Sequence, residues 1–326
     1  MSMTADQIVD RRRMRRKLSF WRVVGFIAVV LAILGGIALF SGRDNFPLFA
    51  EPQIARINIS GFITDNRSQI EMIERIAKAD AVSGVIVAID STGGATTGGE
   101  ALYEALRKLT EAKPTVATVG TVGASAAYMA AIATDHIIAR RTSITGSIGV
   151  IFQYPEVSEL LDKLGINVED IKSAPLKAEP NPFKPTTEEA RAVIAGIVRD
   201  SFNWFVDIVA ERRELLRGEA IALADGRIYT GRQALAAKLI DEIGAEDEAV
   251  AWLATQGVNE DLPIKDWKPR TGGMLSSFDS VLVWFARQAG ISPSLLPPDV
   301  IDRIIPESLK LDGLLSVWQG SGGRDS

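Results

Sequence analysis

The apolar positions fall into short runs whose spacing changes from segment to segment. Ile54 to Ile59 (IARINI) alternates, which predicts a strand with one buried face. Gln69 to Asp80 carries apolar residues at helical spacing. Val85 to Ile89 (VIVAI) is an unbroken apolar run of strand length, as in a sheet covered on both faces. Gly98 to Leu109 reads as a helix and Thr115 to Val119 as a strand. Ser125 to Thr134, rich in small residues, reads as a buried helix, and Ile137 to Ala139 and Ile148 to Phe152 as short strands. Strands alternating with helices imply βαβ units, hence an α/β fold around a mostly parallel sheet. A long helical pattern then runs from Thr187 to about Glu214, and Asp225 to Gly244 reads as strand, turn and helix. Beyond about Glu260 the pattern is irregular. Its two apolar stretches, SVLVWFARQAG and LDGLLSVWQG, suit amphipathic helices on a partner or a membrane surface, or equally plain packing on the domain.

One run differs in kind. Val23 to Phe40 holds 18 residues without a charge. At ~1.5 Å per residue it spans about 27 Å, close to the hydrocarbon thickness of a bilayer. Trp21 stands at its entry and RRRMRRK just before it, so the basic side is expected to stay cytoplasmic and the body to lie outside. A cleaved signal peptide is the alternative, but the run exceeds a usual h-region and no A-x-A site follows it. The expected organisation is a basic segment (1–22), an anchor (23–41), a linker (42–53), a catalytic domain (54–258) and a tail (259–326).

Composition narrows the chemistry. Apolar residues make up 47% of the 326, enough for a sizeable core. The net charge of −5 averages a +5 segment over residues 1–22 and a body at −10, and an acidic body excludes a nucleic-acid footprint. With no cysteine there are no disulfides, thiolate zinc sites or cysteine nucleophiles, and one histidine, His136, excludes a multi-histidine metal site. No cofactor motif is present: the glycine turn below lacks the Lys of a phosphate loop, and there is no G-x-G-x-x-G.

Two turns have chemical potential. Asp90-Ser-Thr-Gly-Gly-Ala95 follows the strand VIVAI and precedes a helix, and its glycines let backbone amides approach an oxyanion. Val122-Gly-Ala-Ser-Ala-Ala-Tyr128 puts Ser125 at a strand-to-helix turn among small residues. There a serine either caps the helix or serves as a nucleophile whose developing charge the helix dipole favours. A nucleophile needs a base. His136 opens a short apolar strand and reads as structural, which leaves a lysine whose pKa an apolar pocket lowers. Lys172 and Lys177, in IKSAPLK, both adjoin apolar residues, and composition does not choose between them.

Four segments, in order, resemble the signal peptide peptidase A family of Ser-Lys peptidases, whose fold is of the crotonase/ClpP type with repeated ββα units. They are DSTGGATTGGE, GASAAYMAA, TSITGSIGVI and DGRIYTGRQALAAKLIDEIG, running from residue 90 to residue 244, and the resemblance covers about residues 54–245. Thr92 replaces the family's proline, and Ala126 and Ala127 replace two glycines beside the nucleophile. The resemblance implies that Ser125 is the nucleophile, that Ser147 orients the lysine, and that Gly93 or Gly94 joins the Ser125 N–H in an oxyanion hole. It implies Lys177 as base, with Lys172 the alternative because Ala174 stands where the family has glycine. It further implies no cofactor, peptide substrates such as residual signal peptides and membrane-proximal polypeptides, and a place in the bacterial inner membrane with the catalytic domain periplasmic. A ring-like homo-oligomer that completes the dyad between protomers is also implied. Two other readings remain open: a non-proteolytic scaffold binding membrane partners, and an acyl-CoA enzyme using the glycine turn.

Overall fold

The structure is a computed structural model, and it describes Trp21, Arg22, residues 24–27, residues 51–269 and the strand 315–317. Contacts divide the chain into two units, Met1–Pro52 and Gln53–Ser326. In the first, Trp21, Arg22 and residues 24–27 are helical, while the remainder of the apolar run 23–40 lies outside the described residues. Among the described residues no helix is long and apolar enough to cross a membrane.

The second unit is built on parallel strands joined by helices. β1 (Gln53–Ile63), α1 (Arg67–Ala77), β2 (Val82–Ala95), α2 (Thr96–Thr110), β3 (Thr115–Ala124) and α3 (Ala126–Ile132) follow in order, with β1 parallel to β2 and β2 to β3. β1 and β2 each run further than their apolar cores suggest, because their C-terminal ends carry the turn that builds the site. The Asn66 side chain caps α1 by accepting from the Gln69 amide at 3.2 Å.

The outer edge of β3 is shared by two strands. Val116 to Val119 pair with β4 (His136–Ala139), and Val122 to Ala124 pair with β5 (Ile144–Gly146), both parallel. β6 (Ile228–Thr230) returns antiparallel on β5, and β7 (Glu242–Ile243) runs parallel to β4. The strand expected at Ile148 to Phe152 therefore lies earlier. Gly146 and Ser147 both have positive φ (86° and 51°), which ends the extended chain, and Ile148 is buried as a core residue.

Alternation along β2 sorts the VIVAI run onto both faces. Val85, Val87 and Ile89 join Ile57, Ile59, Ala117 and Val119 in the larger core under α1 to α3. Ile86 joins Ile54, Val116 and Ile138 under α8 (Glu246–Thr255), which supplies Ala249 and Leu253. The sheet does not stop at residue 258, where the domain boundary was expected. β8 (Ile264–Trp267) pairs parallel with the free edge of β1, and Arg56 clamps it through Asp266 at 2.6 Å while also holding Glu246 at 2.7 Å.

The remaining helices are α4 (Ser158–Lys163), α5 (Glu188–Arg212), α6 (Arg217–Leu223) and α7 (Gly231–Ala236). α5 buries Phe205, Val206, Ile208 and Val209 in its C-terminal half and only Ala190 near its start. Arg212 ties that half to α3, donating to the carbonyls of Ile132 (2.9 Å) and Thr134 (3.0 Å).

Tyr128 is fully buried in α3, and its hydroxyl donates to the Leu239 carbonyl at 2.7 Å. Burial pushes the phenol well above its ordinary range, so it stays a neutral donor. Tyr128→Phe leaves that carbonyl dry and unpaired, and should cost about 1–3 kcal/mol. The check is a urea midpoint that falls with no change in m.

Candidate active site

The chain reverses sharply where β3 meets α3. Ser125 sits there with φ 60° and ψ −121°, a conformation that a side-chain-bearing residue adopts only under constraint. The constraint is visible. The Ser125 amide donates to the Gly146 carbonyl at 2.8 Å, and the Ser125 carbonyl accepts from the amides of Tyr128 (2.9 Å) and Met129 (3.1 Å). Ser125 is thus pinned on one side by the end of β5 and on the other by the first turn of α3. Its burial is nearly complete, at 1% exposure.

Ser147 follows the residue that pins Ser125. It too is buried with positive φ, and its amide donates to the Arg227 carbonyl at 2.8 Å. Thr145, two positions earlier, donates its hydroxyl to the Gly123 carbonyl at 2.8 Å, which binds β5 to the end of β3. Among the described residues five non-glycines have positive φ: Ser125, Ser147, Ala178, Glu214 and Lys238. Two are sequence-predicted site residues and a third follows Lys177, so the strain gathers where the motifs lie.

The glycine turn is packed too tightly for side chains. A Cβ on Gly94 would fall 2.0 Å from the Ile63 carbonyl oxygen, and Gly93 has φ 109°. The oxyanion expectation changes in two places. The Gly93 amide already donates to Ser91 Oγ at 3.1 Å, and the Ser125 amide is spent on Gly146. Sequence reading missed the amide of Ala126. As the first residue of α3 it has no intrahelical acceptor, and a helix start displays such donors toward anions. The signal available in the sequence was its position directly after a serine at a helix start. Ala126 and Ala127 are fully buried, and Ala126 Cβ lies 3.0 Å from where a Cβ on Gly99 would be. The Ala126 methyl group therefore fills the α2–α3 contact.

The lysines sit on a separate arm that leaves the sheet after Ile151 and returns in α5. Lys177 is exposed. With Asp170, Ile171, Lys172 and Phe183 it lines a concavity of about 650 Å³ formed wholly by residues 168–183. Lys172 is held by two carboxylates, Asp170 at 2.8 Å and Glu179 closer still. That pairing gives Lys172 a structural task in shaping the arm and leaves Lys177 the unclasped ammonium of the two. His136 is at the other end of β3, paired with Val116, stacked on Trp252 at 5.0 Å and 3.3 Å from Glu242. Nine strand residues at ~3.3 Å each separate Val116 from Ser125, roughly 30 Å, which excludes a His136-based triad.

Comparison with known proteins decides the family. The profile of peptidase family S49 matches residues 107–259. A provisionally named protease of Synechocystis sp. is 33% identical over 256 residues, covering 77% of this chain and 92% of that one. Another, of Methanocaldococcus jannaschii, is 32% identical over 253 residues, covering 72% and 81%. The chain belongs to peptidase family S49. This is the signal peptide peptidase A family of serine peptidases that the four motifs resemble, and a provisionally named signal peptide peptidase of Enterococcus faecium is 29% identical over 271 residues, covering 82% and 75%.

Glycine in place of Ser125 should relieve the strain of that backbone. Ser125→Gly should be more stable than Ser125→Ala by about 1–2 kcal/mol in chemical denaturation, and equal stabilities would remove the argument. The arm has its own acid limit. Hydrogen bonding to the Lys172 ammonium holds the Glu179 carboxyl below its ordinary range. A depressed carboxyl stabilises the fold above its unfolded value and loses that contribution as pH falls through its folded value. Amide exchange over residues 170–184 should therefore accelerate, relative to the core, once the pH drops below about 4.3.

Proposed function

We propose that this protein is a membrane-anchored serine endopeptidase in which Ser125 is the nucleophile and Lys177 the general base. The observation that carries the reading is the backbone of Ser125, held at φ 60° between β5 and α3. A helix cap does not need that conformation, since an ordinary capping residue sits in the extended region. In the proposed cycle neutral Lys177 Nζ takes the proton from Ser125 Oγ as the oxygen bonds the peptide carbonyl carbon. The amides of Gly94 and Ala126 receive the resulting oxyanion, each donor contributing about 3–4 kcal/mol in comparable sites. The C–N bond breaks and the amine leaves with the proton from Lys177. Water, deprotonated by the same lysine, then hydrolyses the acyl-enzyme and restores Ser125. Ser147, one peptide bond beyond the residue that pins Ser125, orients the lysine.

The arm supports a dyad shared between protomers. Lys177 is exposed, and so are large apolar side chains along the same arm, among them Leu160, Leu164, Ile166, Ile171 and Phe183. Ile171 exposes its whole side chain. Apolar surface concentrated on one projecting segment calls for a partner, and a second copy would be covered by it while receiving Lys177. The uncharged run 23–40 behind RRRMRRK supports an inner-membrane anchor with the peptidase body outside. That location supports residual signal peptides and other membrane-proximal polypeptides as substrates.

The test is peptide hydrolysis by the detergent-solubilised full chain beside its variants. Ser125→Ala and Lys177→Ala should each lose at least about a thousandfold in kcat, and Lys172→Ala should retain the larger part. Mixing the two inactive chains should restore activity if the lysine crosses between protomers. An active Lys177→Ala chain would overturn Lys177 as the base, whereas a wild type that neither hydrolyses peptide nor takes up a serine-directed fluorophosphonate at Ser125 would favour the scaffold reading.

A further inference from the structure

Among the described residues three buried side-chain polar atoms have no hydrogen-bond partner: Gln53 Oε1, Thr96 Oγ1 and Asp170 Oδ2. Asp170 Oδ2 faces the Lys172 ammonium at 2.8 Å, and Gln53 opens β1, at the opposite end of that strand from Ile63 and the glycine turn. Thr96 is the one beside the candidate site. It is the first residue of α2, which starts without a side-chain cap, and it is 6% exposed. The backbone before it is laid against β1 at Gly93 and Gly94 and against a ninth strand, β9 (Leu315–Val317), at Gly93 to Ala95, so Thr96 is the first residue past both ladders. A buried hydroxyl without a partner destabilises the fold, and a site that receives a polar group from outside is one place where such a hydroxyl persists.

The packing of α2 on α3 fixes where Thr96 stands. Thr96, Gly99, Tyr103 and Arg107 recur at helical spacing and share one face of α2. Gly99 meets the start of α3: a Cβ there would lie 3.0 Å from Ala126 Cβ and 2.7 Å from Met129 Sδ. Arg107 meets its end, donating to the Ala133 carbonyl at 3.1 Å. The two helices thus run side by side in the same direction. Thr96 lies one helical step of about 4.5 Å before Gly99. Ser125 directly precedes Ala126, so the Thr96 hydroxyl stands at the level of Ser125. We propose that Thr96 is a specificity residue: its hydroxyl hydrogen-bonds the side-chain hydroxyl of a substrate serine, at the residue whose carbonyl Ser125 attacks. The proposal rests on the peptidase reading above and adds a cleavage preference to it. A serine hydroxyl is only a few bonds from its own carbonyl carbon, so it remains within reach of a group at that level. A neutral partner suits Thr96 better than a carboxylate, because residues 91–99 and 122–129 hold no Lys, Arg or His and a buried charge needs a counterion. A hydroxyl both donates and accepts, so a single serine side chain satisfies Thr96. Alanine at the same residue leaves Thr96 unpaired and is the poorer substrate for it.

The experiment uses the full chain and a reporter peptide whose cleaved bond is located by mass spectrometry, made with Ser or with Ala just before that bond. The wild type should hydrolyse the Ser peptide with a kcat/KM about tenfold above that for the Ala peptide. Thr96→Val keeps the branched shape and removes the unpaired hydroxyl, so it should fold with an unchanged or higher urea midpoint and bring the ratio to about one. Thr96→Ser should keep the preference. A preference that survives in Thr96→Val, or none in the wild type, overturns the proposal while leaving the peptidase reading intact. If no chain hydrolyses either peptide, the peptidase reading falls, and anisotropy of the labelled peptides on the Ser125→Ala chain decides the hydroxyl site by itself. Tighter binding of the Ser peptide, lost when Thr96→Val is added, upholds the site, and equal or absent binding of the two peptides sinks it.

Discussion

The hydrogen bond from the Ser125 amide to the Gly146 carbonyl, at 2.8 Å, is the contact on which the site depends. It closes β3 onto β5 at the residue where the chain must reverse into α3. Because the bond fixes the amide, the reversal has to occur within Ser125 itself, at φ 60° and ψ −121°. A conformation costing about 1–3 kcal/mol persists only when its surroundings over-determine it. Here they do so from two sides: β5, through Gly146 and through Thr145 on Gly123, and the first turn of α3, through Tyr128 and Met129.

The same bond redistributes the polar groups nearby. With the Ser125 amide committed, the amide of Ala126, first in α3, is left without an intrahelical acceptor. With Gly93 tied to Ser91 Oγ, Gly94 is the member of that turn held against β1, where even a methyl group would strike the Ile63 carbonyl. The strand ladder and the site thus compete for the same amides, and the competition selects which ones remain.

The arm follows another logic. Residues 168–183 form their own concavity, stiffened by Lys172 between Asp170 and Glu179, and present Lys177 outward among exposed apolar side chains. β9, by contrast, is a piece of the same chain that reaches the edge of the glycine turn.

The periodicity of the sequence was sufficient for β1 to β3, for α1, α2 and α5, and for a sheet buried on both faces. These patterns record which side chains leave water, and burial is a local property of each run. The ordered motifs likewise marked Ser125, Ser147 and the glycine turn. Where the apolar run at Ile148 to Phe152 imitated a strand, the reversal at Gly146 and Ser147 took the chain elsewhere, because left-handed φ is imposed by partners distant in sequence. The place of β8 on the edge of β1, the pairing of β9 with the glycine turn and the loss of two expected oxyanion donors were equally beyond local reading. Each is a question of which backbone group meets which, and backbone groups are the same at every residue. Side-chain chemistry therefore marked Ser125 along the chain, while main-chain hydrogen bonding between distant segments decided how that serine is held and which amides around it are already committed.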